Sequence, residues 1–206
     1  FTFTGANAAN LSAPGDYIIF AYTAITNDVD LSNDTAAIAI HSGAATLPYS
    51  MGFEDNEFLT GWSLVDANAD GYPWGIYTGT TYSHTGTNFA AYVYNPDSAA
   101  NDWLFTKCIN MIPGNTYKLD FYYSGMGALY PESMDVYIGM SPDITSMATT
   151  LVDLPTISND YYMLSSNTFT VPFSGNYYIG FHCKSAADMY YLLLDDISVT
   201  IVPPYD

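Results

Sequence analysis

Asp66-Ala67-Asn68-Ala69-Asp70-Gly71 sets three oxygen-bearing side chains at alternate positions ahead of a glycine. Alternation lets the three converge on one hard cation, and the glycine permits a sharp turn that brings in a backbone carbonyl, here that of Tyr72. This is the first half of a calcium-binding loop. The twelfth position holds Tyr77 rather than a bidentate acid, and helical patterning is missing on both sides. An EF-hand is therefore excluded, and the expectation is a calcium loop between two strands. A solvated, Asx-rich turn is the other reading of the same residues.

A second acidic set is Glu54-Asp55 and Asp195-Asp196, each beside an apolar run (GFE and YYLLLDDISV). Adjacent strand residues face opposite sides, so one of Asp195 and Asp196 is expected to point inward. A buried carboxylate needs a cation or several donors. The chain has only Lys107, Lys118 and Lys184 and no Arg, so calcium shared by Glu54 and one of these aspartates is the expected cation. A carboxylate held by backbone N–H groups at a strand end is the alternative. The candidate metal ligands are thus Glu54, Asp66, Asn68, Asp70, Asp195 and Asp196, with Ca2+ as the cofactor.

Charge excludes several function classes. Against three lysines stand 21 acidic residues, for a net charge of -18. A phosphate backbone would be repelled, so nucleic acid is not an expected partner; anionic membrane surfaces are disfavoured for the same reason. No stretch approaches the ~20 apolar residues of a membrane span. Catalytic constellations are poor. His41, His84 and His182 are scattered without zinc-pair spacing, and neither a Gly-x-Ser-x-Gly elbow nor a phosphate loop occurs. Paired carboxylates can serve glycoside hydrolysis, but here they cluster in loops at metal-type spacing. The expectation is a protein that is not an enzyme.

The elements that must position these acids read as strands. Aromatics make up 17% of the chain, 20 of them Tyr, and such residues fit pleated, half-buried surfaces. The fold class is all-β. Residues 1–48 contain three strand-like runs, FTFT, Tyr17 to Thr23 and Ala36 to Ile40. These are too few for an immunoglobulin-like sandwich of about seven strands, so this part reads as a partial immunoglobulin-like β segment. Its APGDYIIFAYTAITNDVDLSNDT resembles the C-terminal half of immunoglobulin-like repeats in large bacterial surface proteins. The start within FTFT reads as a processed or excerpted piece of a longer protein. Residues 49–206 carry eleven short strand-like runs with turn signals between them, the pattern of a jelly-roll β-sandwich. A short helical turn is expected near Ile144 to Thr149. The chain should leave its last strand at Pro203-Pro204. Cys108 and Cys183 are compatible with one disulfide or with two buried thiols. Trp62, Trp74 and Trp103 read as core, while Tyr77, Tyr82, Tyr92, Tyr94 and Tyr130 lie near strand ends where rings can anchor a sugar or a protein.

FEDNEFLTGWSLVDANADGYPW, NDWLFTKCINMIPGNTYKLDFYYS, YPESMDVYIGM and DMYYLLLDDISV, in that order, resemble the cleaved-adhesin or choice-of-anchor J domain. The likeness covers Ser50 to Thr200. It implies a jelly-roll domain of secreted and surface proteins of Bacteroidetes, found in the adhesin regions of gingipains and beside type IX secretion signals, with calcium binding. By resemblance Asp66, Asn68 and Asp70 fall on its Asp-rich loop, and Glu54 and Asp195/Asp196 on its strand-end acids. Thr106-Lys107-Cys108 departs from the usual Thr-Pro, and Ala67 and Ala69 replace commoner residues, without loss of an oxygen ligand. The function expected is a calcium-stabilised extracellular adhesion or structural module, secreted or on the cell surface, whose partner is a protein subunit (itself or a neighbour, in a filament or array) or a glycan. The alternative is a carbohydrate-binding module appended to a secreted enzyme.

Overall fold

A computed structural model describes residues 15–23, 32, 34–55, 57 and 59–203. Period-two patterning becomes strands throughout. In β9 (Thr116–Ser124) Tyr117, Leu119, Phe121 and Tyr123 are buried, while Lys118, Asp120 and Tyr122 between them are partly exposed. The alternation assigns one face to a core and the other to the outside.

Two antiparallel sheets share that core. The first orders β11 (Thr149–Ile157), β10 (Glu132–Gly139), β13 (Gly175–Cys183), β7 (Asp102–Phe105) and β4 (Ser63–Asp66), with β8 (Ile109–Met111) also on β13. The second orders β12 (Met163–Phe169), β9, β14 (Tyr191–Val202), β6 (Asn88–Val93) and β5 (Trp74–Thr78), with β3 (Tyr49–Met51) also on β14. Leu104, Ile179 and Phe181 from one sheet meet Leu119, Phe121 and Leu194 from the other. Phe121 and Phe181 pack edge to face at 5.3 Å. Burying each such side chain contributes about 1.5–3 kcal/mol. This is the expected jelly-roll sandwich, and it positions its loops at the two ends.

Some local expectations are revised by the structure and others hold. The run DWLFTKCI is two strands, because the β13 ladder is interrupted over Thr106 to Cys108. The Thr106 hydroxyl accepts the Ile179 N–H at 3.0 Å within that gap. Cys108 and Cys183 are separate thiols rather than a disulfide. Trp62 lies just before β4, its indole N–H donating to the Tyr49 hydroxyl. The helical turn is a 3-10 turn at Ile144–Ser146, capped by the Asp143 carboxylate. β14 ends at Val202, ahead of Pro203.

Ahead of the sandwich, β1 (Gly15–Tyr22) and β2 (Thr35–Ser42) pair with each other alone among the described residues. The strand expected at FTFT and the loop at Asn27-Asp28 lie outside the described residues. Ile18, Phe20, Tyr22 and Ile38 are largely exposed on this hairpin. After it, Ala45 bridges to Ile109 and donates its N–H to the Cys108 carbonyl.

Candidate functional site

Asp66 closes β4 and Asp102 opens β7, and the two are direct cross-strand partners. Opposite residues of an antiparallel pair share a face, so their carboxylates lie side by side. The shared face is the inner one, since Leu104 of β7 belongs to the core and Trp103 and Phe105 to an outer cluster. The loop after β4 folds back over them. The Asp70 and Gly71 N–H groups donate to Asp66 at 3.2 and 2.8 Å. Gly71 has φ 84, a left-handed conformation open to glycine at little cost. Asp70 in turn accepts from the Tyr72 N–H and from the side-chain amides of Asn68 and Asn95.

Asp102 is fully buried. One of its oxygens takes the Asn101 N–H, and the other has no partner. Burial pushes this carboxyl up to about 7, and the charges of Asp66 and Asp70 add to the shift. The buried Tyr92 hydroxyl also lacks a partner, and its pKa rises through burial and through the charges of Cys183, Asp102 and Asp70. Tyr92 therefore belongs to the interior and not to the exposed rings. Asn68 turns its amide N–H to the Ala99 carbonyl as well as to Asp70. Asp102 was the acid that sequence reasoning missed. Its signal was parity: it stands two residues before Leu104, so it faces the core.

The second acidic set gathers around residues 84–88. Glu54 accepts the Thr87 and Asn88 N–H groups and the Thr87 hydroxyl, and these bonds hold its carboxyl below the usual range. Asp195 accepts the N–H groups of His84 and Asp196 at 2.8 Å and, at 3.4 Å, that of Thr85. Asp196 contacts His84 Nδ1 at 2.6 Å and accepts the Thr85 hydroxyl. The β14 ladder carries one extra residue between Asp195 and Ser198, and Asp196 has φ 46. That bulge switches the inward-facing positions from Leu192 and Leu194 to Ile197 and Val199. Asp195 therefore does not enter the sandwich interior as expected. It is buried on the outer face, opposite Tyr122 and beneath residues 83–85, where burial lifts its carboxyl to about 6 against its N–H partners. Glu54 and Asp196 do line one open cleft of about 410 Å³, together with Glu57.

Among the described residues no three His, Cys, Asp or Glu side chains converge closely enough, as they stand, to grip a metal. The lysines are engaged elsewhere: Lys118 with Asp120, Lys184 with Asp135 and Asp153, and Lys107 over the Tyr49 ring. Burial raises the Cys183 thiol and lowers the His182 imidazole to about 4, leaving a protonated thiol and a weak base.

A third feature is aromatic. On the outer face of the second sheet, Tyr77, Phe89, Tyr82 and Tyr191 follow one another with ring centroids 6.2 to 6.3 Å apart. The row continues through Tyr190, 4.3 Å from Tyr191, to Tyr94 and Tyr130, each 5.6 Å from Tyr190. Tyr77, Tyr82, Tyr130 and Tyr190 are 37–42% exposed. Gly75 makes room for the row: a Cβ there would lie 2.9 Å from the Tyr77 ring. Between Tyr77, Tyr82 and Tyr191 runs a groove of about 190 Å³, floored by Ala91, Val93 and Leu193.

Comparison with known proteins follows this geometry. The family described as Cleaved Adhesin Domain matches residues 46–158, more than half of the chain. The K1 Cleaved Adhesin domain of Lys-gingipain from Porphyromonas gingivalis W83 superposes with TM-score 0.64 at 18% identity, over 75% of this chain and 98% of that one. The CBM22-1 xylan-binding domain from Paenibacillus barcinonensis Xyn10C gives 0.52 at 10% identity, over 79% and 100%. TmCBM61, solved in complex with beta-1,4-galactotriose, gives 0.52 at 12%, over 70% and 90%. A search of curated proteins finds no match.

One buried acid outside the loops yields a pH test. Glu132 opens β10 with 1% exposure and no well-formed hydrogen bond to either oxygen. Burial raises it to about 7, which the nearby Ser185 hydroxyl only partly opposes. A carboxyl raised in the folded state favours folding fully below its unfolded value and loses that advantage as pH rises through the folded one. In chelator, the melting temperature should therefore fall between pH 5 and pH 8, and Glu132→Gln should flatten that slope. Equal slopes in the two proteins would show that Glu132 ionises without cost.

Proposed function

The chain belongs to the Cleaved Adhesin Domain family, and on that premise we propose that it is an adhesion module of an extracellular surface protein, working by holding a partner and not by turnover. The observation that carries this reading is the tyrosine row on the outer face of the second sheet. Tyrosine offers a large rigid contact area at low entropic cost and a polar tip. Two relatives in fold are a xylan-binding domain and a module solved with beta-1,4-galactotriose, which supports a binding role for this fold. No helix among the described residues is long and apolar enough to cross a membrane. The adhesion unit starts near residue 49, and the preceding hairpin belongs to a neighbouring immunoglobulin-like segment. Beads coated with the domain should be retained on mucin or extracellular-matrix surfaces, and Tyr77→Ala with Tyr82→Ala should release them. Retention no better than albumin-coated beads on every surface overturns the reading.

Calcium is the second part of the proposal. The unpartnered oxygen of Asp102, beside Asp66 and under Asp70, fits a hard cation, because three acids there have no cationic side chain to face them. Asp66, Asp70 and Asp102 would hold it, with Asn68 shaping the loop. Glu54 and Asp196, with Glu57, offer a second place in their shared cleft, where Asp195 braces the wall. Bound calcium would neutralise adjacent carboxylates and stiffen the loops around both acidic sets. At a hundredfold above its Kd, calcium should stabilise the fold by about 2.7 kcal/mol. For a domain this size that is a rise of roughly 5–10 °C in melting temperature. Asp102→Asn should remove much of that rise. An unchanged melting temperature with calcium or EDTA at low ionic strength refutes the metal.

The exposed hairpin favours one further reading, assembly into a filament or array. Among the described residues the hairpin pairs with no other strand, and a two-stranded sheet is marginal in water; Ile18 and Phe20 expose apolar side chains on one of its faces and Ile19 and Ile38 on the other. Strand addition from a second copy would cover them, with calcium easing the repulsion between chains of charge -18. Sedimentation should show concentration-dependent assembly in calcium that Phe20→Lys abolishes; a monomer at all concentrations removes the filament.

A further inference from the structure

We infer that the groove between Tyr77, Tyr82 and Tyr191 is a binding site for one sugar ring of a neutral, unsulfated glycan. The inference rests on the adhesion reading and names its ligand class. Three features of the groove select that class.

Charge is the first. The chain carries -18, and among the described residues its lysines are committed to Asp120, Asp135, Asp153 and the Tyr49 ring. Sialylated, sulfated or uronic chains would meet repulsion with nothing to offset it. Backbone supply is the second. The groove lies on the face of strands β5, β6 and β14, whose peptide groups pair across the sheet. A peptide that recognises its site by strand addition needs an unpaired edge; the edge here is the outer side of β5, beside the groove, while β6 and β14 under its floor are paired on both sides. A ligand must be read here through side chains alone.

The third feature is the surface on offer. Tyr77 lies over Gly75, and its ring is within 26° of parallel to that of Phe89. Tyr82 and Tyr191 rise opposite, nearly perpendicular to each other at 72°. The floor is the small aliphatic pair Ala91 and Val93. Apolar walls, a smooth floor and a rim of phenol hydroxyls plus Thr78 match a pyranose, which has C–H faces and an O–H perimeter. A volume of about 190 Å³ is below the ~300–1,000 Å³ of sites that engulf a whole small molecule. It suits one ring of a longer chain, with neighbouring rings laid along Tyr190, Tyr94 and Tyr130. Tyr190 holds φ 107, an uncommon conformation for a bulky residue, and that conformation places its ring between Tyr191 and Tyr94.

An array of neutral hexose and pentose oligosaccharides, with sialylated and sulfated glycans alongside, tests the site, followed by calorimetry on the best neutral hit. Expected are hits confined to neutral glycans. Tyr77→Ala and Tyr82→Ala should each weaken binding about tenfold at unchanged melting temperature, while Tyr77→Phe, which keeps the ring, should weaken it less than threefold. Two results overturn the inference: no neutral glycan bound at millimolar concentration, or binding that both alanine variants leave intact. Coated beads separate this failure from that of the adhesion reading. If they still hold to deglycosylated protein surfaces and the array is blank, the domain is an adhesin for protein and the sugar site is wrong. If they hold to nothing, both fall.

Discussion

Glu54, Asp195 and Asp196 close on the backbone N–H and hydroxyl groups of residues 84–88, and much of the second sheet depends on that clasp. A chain with 21 acids and three lysines cannot pair most of its buried carboxylates with cationic side chains; Asp135, held by Lys184, is the buried acid that has one. Backbone donors are the abundant substitute, and a loop that turns the N–H groups of His84, Thr85, Thr87 and Asn88 to carboxylates is fixed in place. Once fixed, the loop carries His84 onto Tyr122, with rings 3.7 Å apart, and Tyr82 onto Phe89. The clasp thus links this acidic cluster to the aromatic row on the outer face of the sheet.

The β4–β7 pair of the first sheet solves the same problem less completely. Sheet register places Asp66 opposite Asp102, and like charges directly opposite destabilise a pair of strands. The loop N–H groups relieve Asp66, but one oxygen of Asp102 stays without a partner. Protonation or a bound cation are the two ways to remove that cost. The contrast makes the two acidic sets unequal in how fully their carboxylates are satisfied. In the clasp every carboxylate oxygen of Glu54, Asp195 and Asp196 has a donor; beneath the Asp66–Gly71 loop one does not.

Much of the architecture was legible in the chain. Alternation in TYKLDFYYS and NYYIGFHC marks β9 and β13, because a strand has only two faces and one of them is dry. Pro113-Gly114 and Pro203 mark ends, because a backbone needing φ > 0 or lacking an N–H cannot continue a ladder. The resemblance to cleaved-adhesin domains rested on strand-end motifs of the same kind, NDWLF and LLLDDISV. Alternation failed where the ladder is irregular. The bulge at Asp196 reverses the facing of β14, and the break over Thr106 to Cys108 divides one apparent strand into two.

The sequence by itself determined the class of the molecule: an all-β sandwich, acidic enough to repel phosphate, rich in tyrosine, with Asp66 to Gly71 in a loop. Those properties depend on composition and on spacing within one strand or turn, where physical forces are local. Tertiary structure alone decided which acids meet and which rings are seen. Asp102 joins Asp66 through register between strands 36 residues apart, Tyr92 turns inward while Phe89 and Ala91 turn out, and Tyr77 and Tyr191 line one groove only because β5, β6 and β14 lie side by side. Cross-strand neighbours are fixed by the whole sheet's hydrogen bonding, which no short stretch of sequence carries. The acidic loop first visible as Asp-x-Asn-x-Asp-Gly meets, in three dimensions, a buried acid that arrives on another strand.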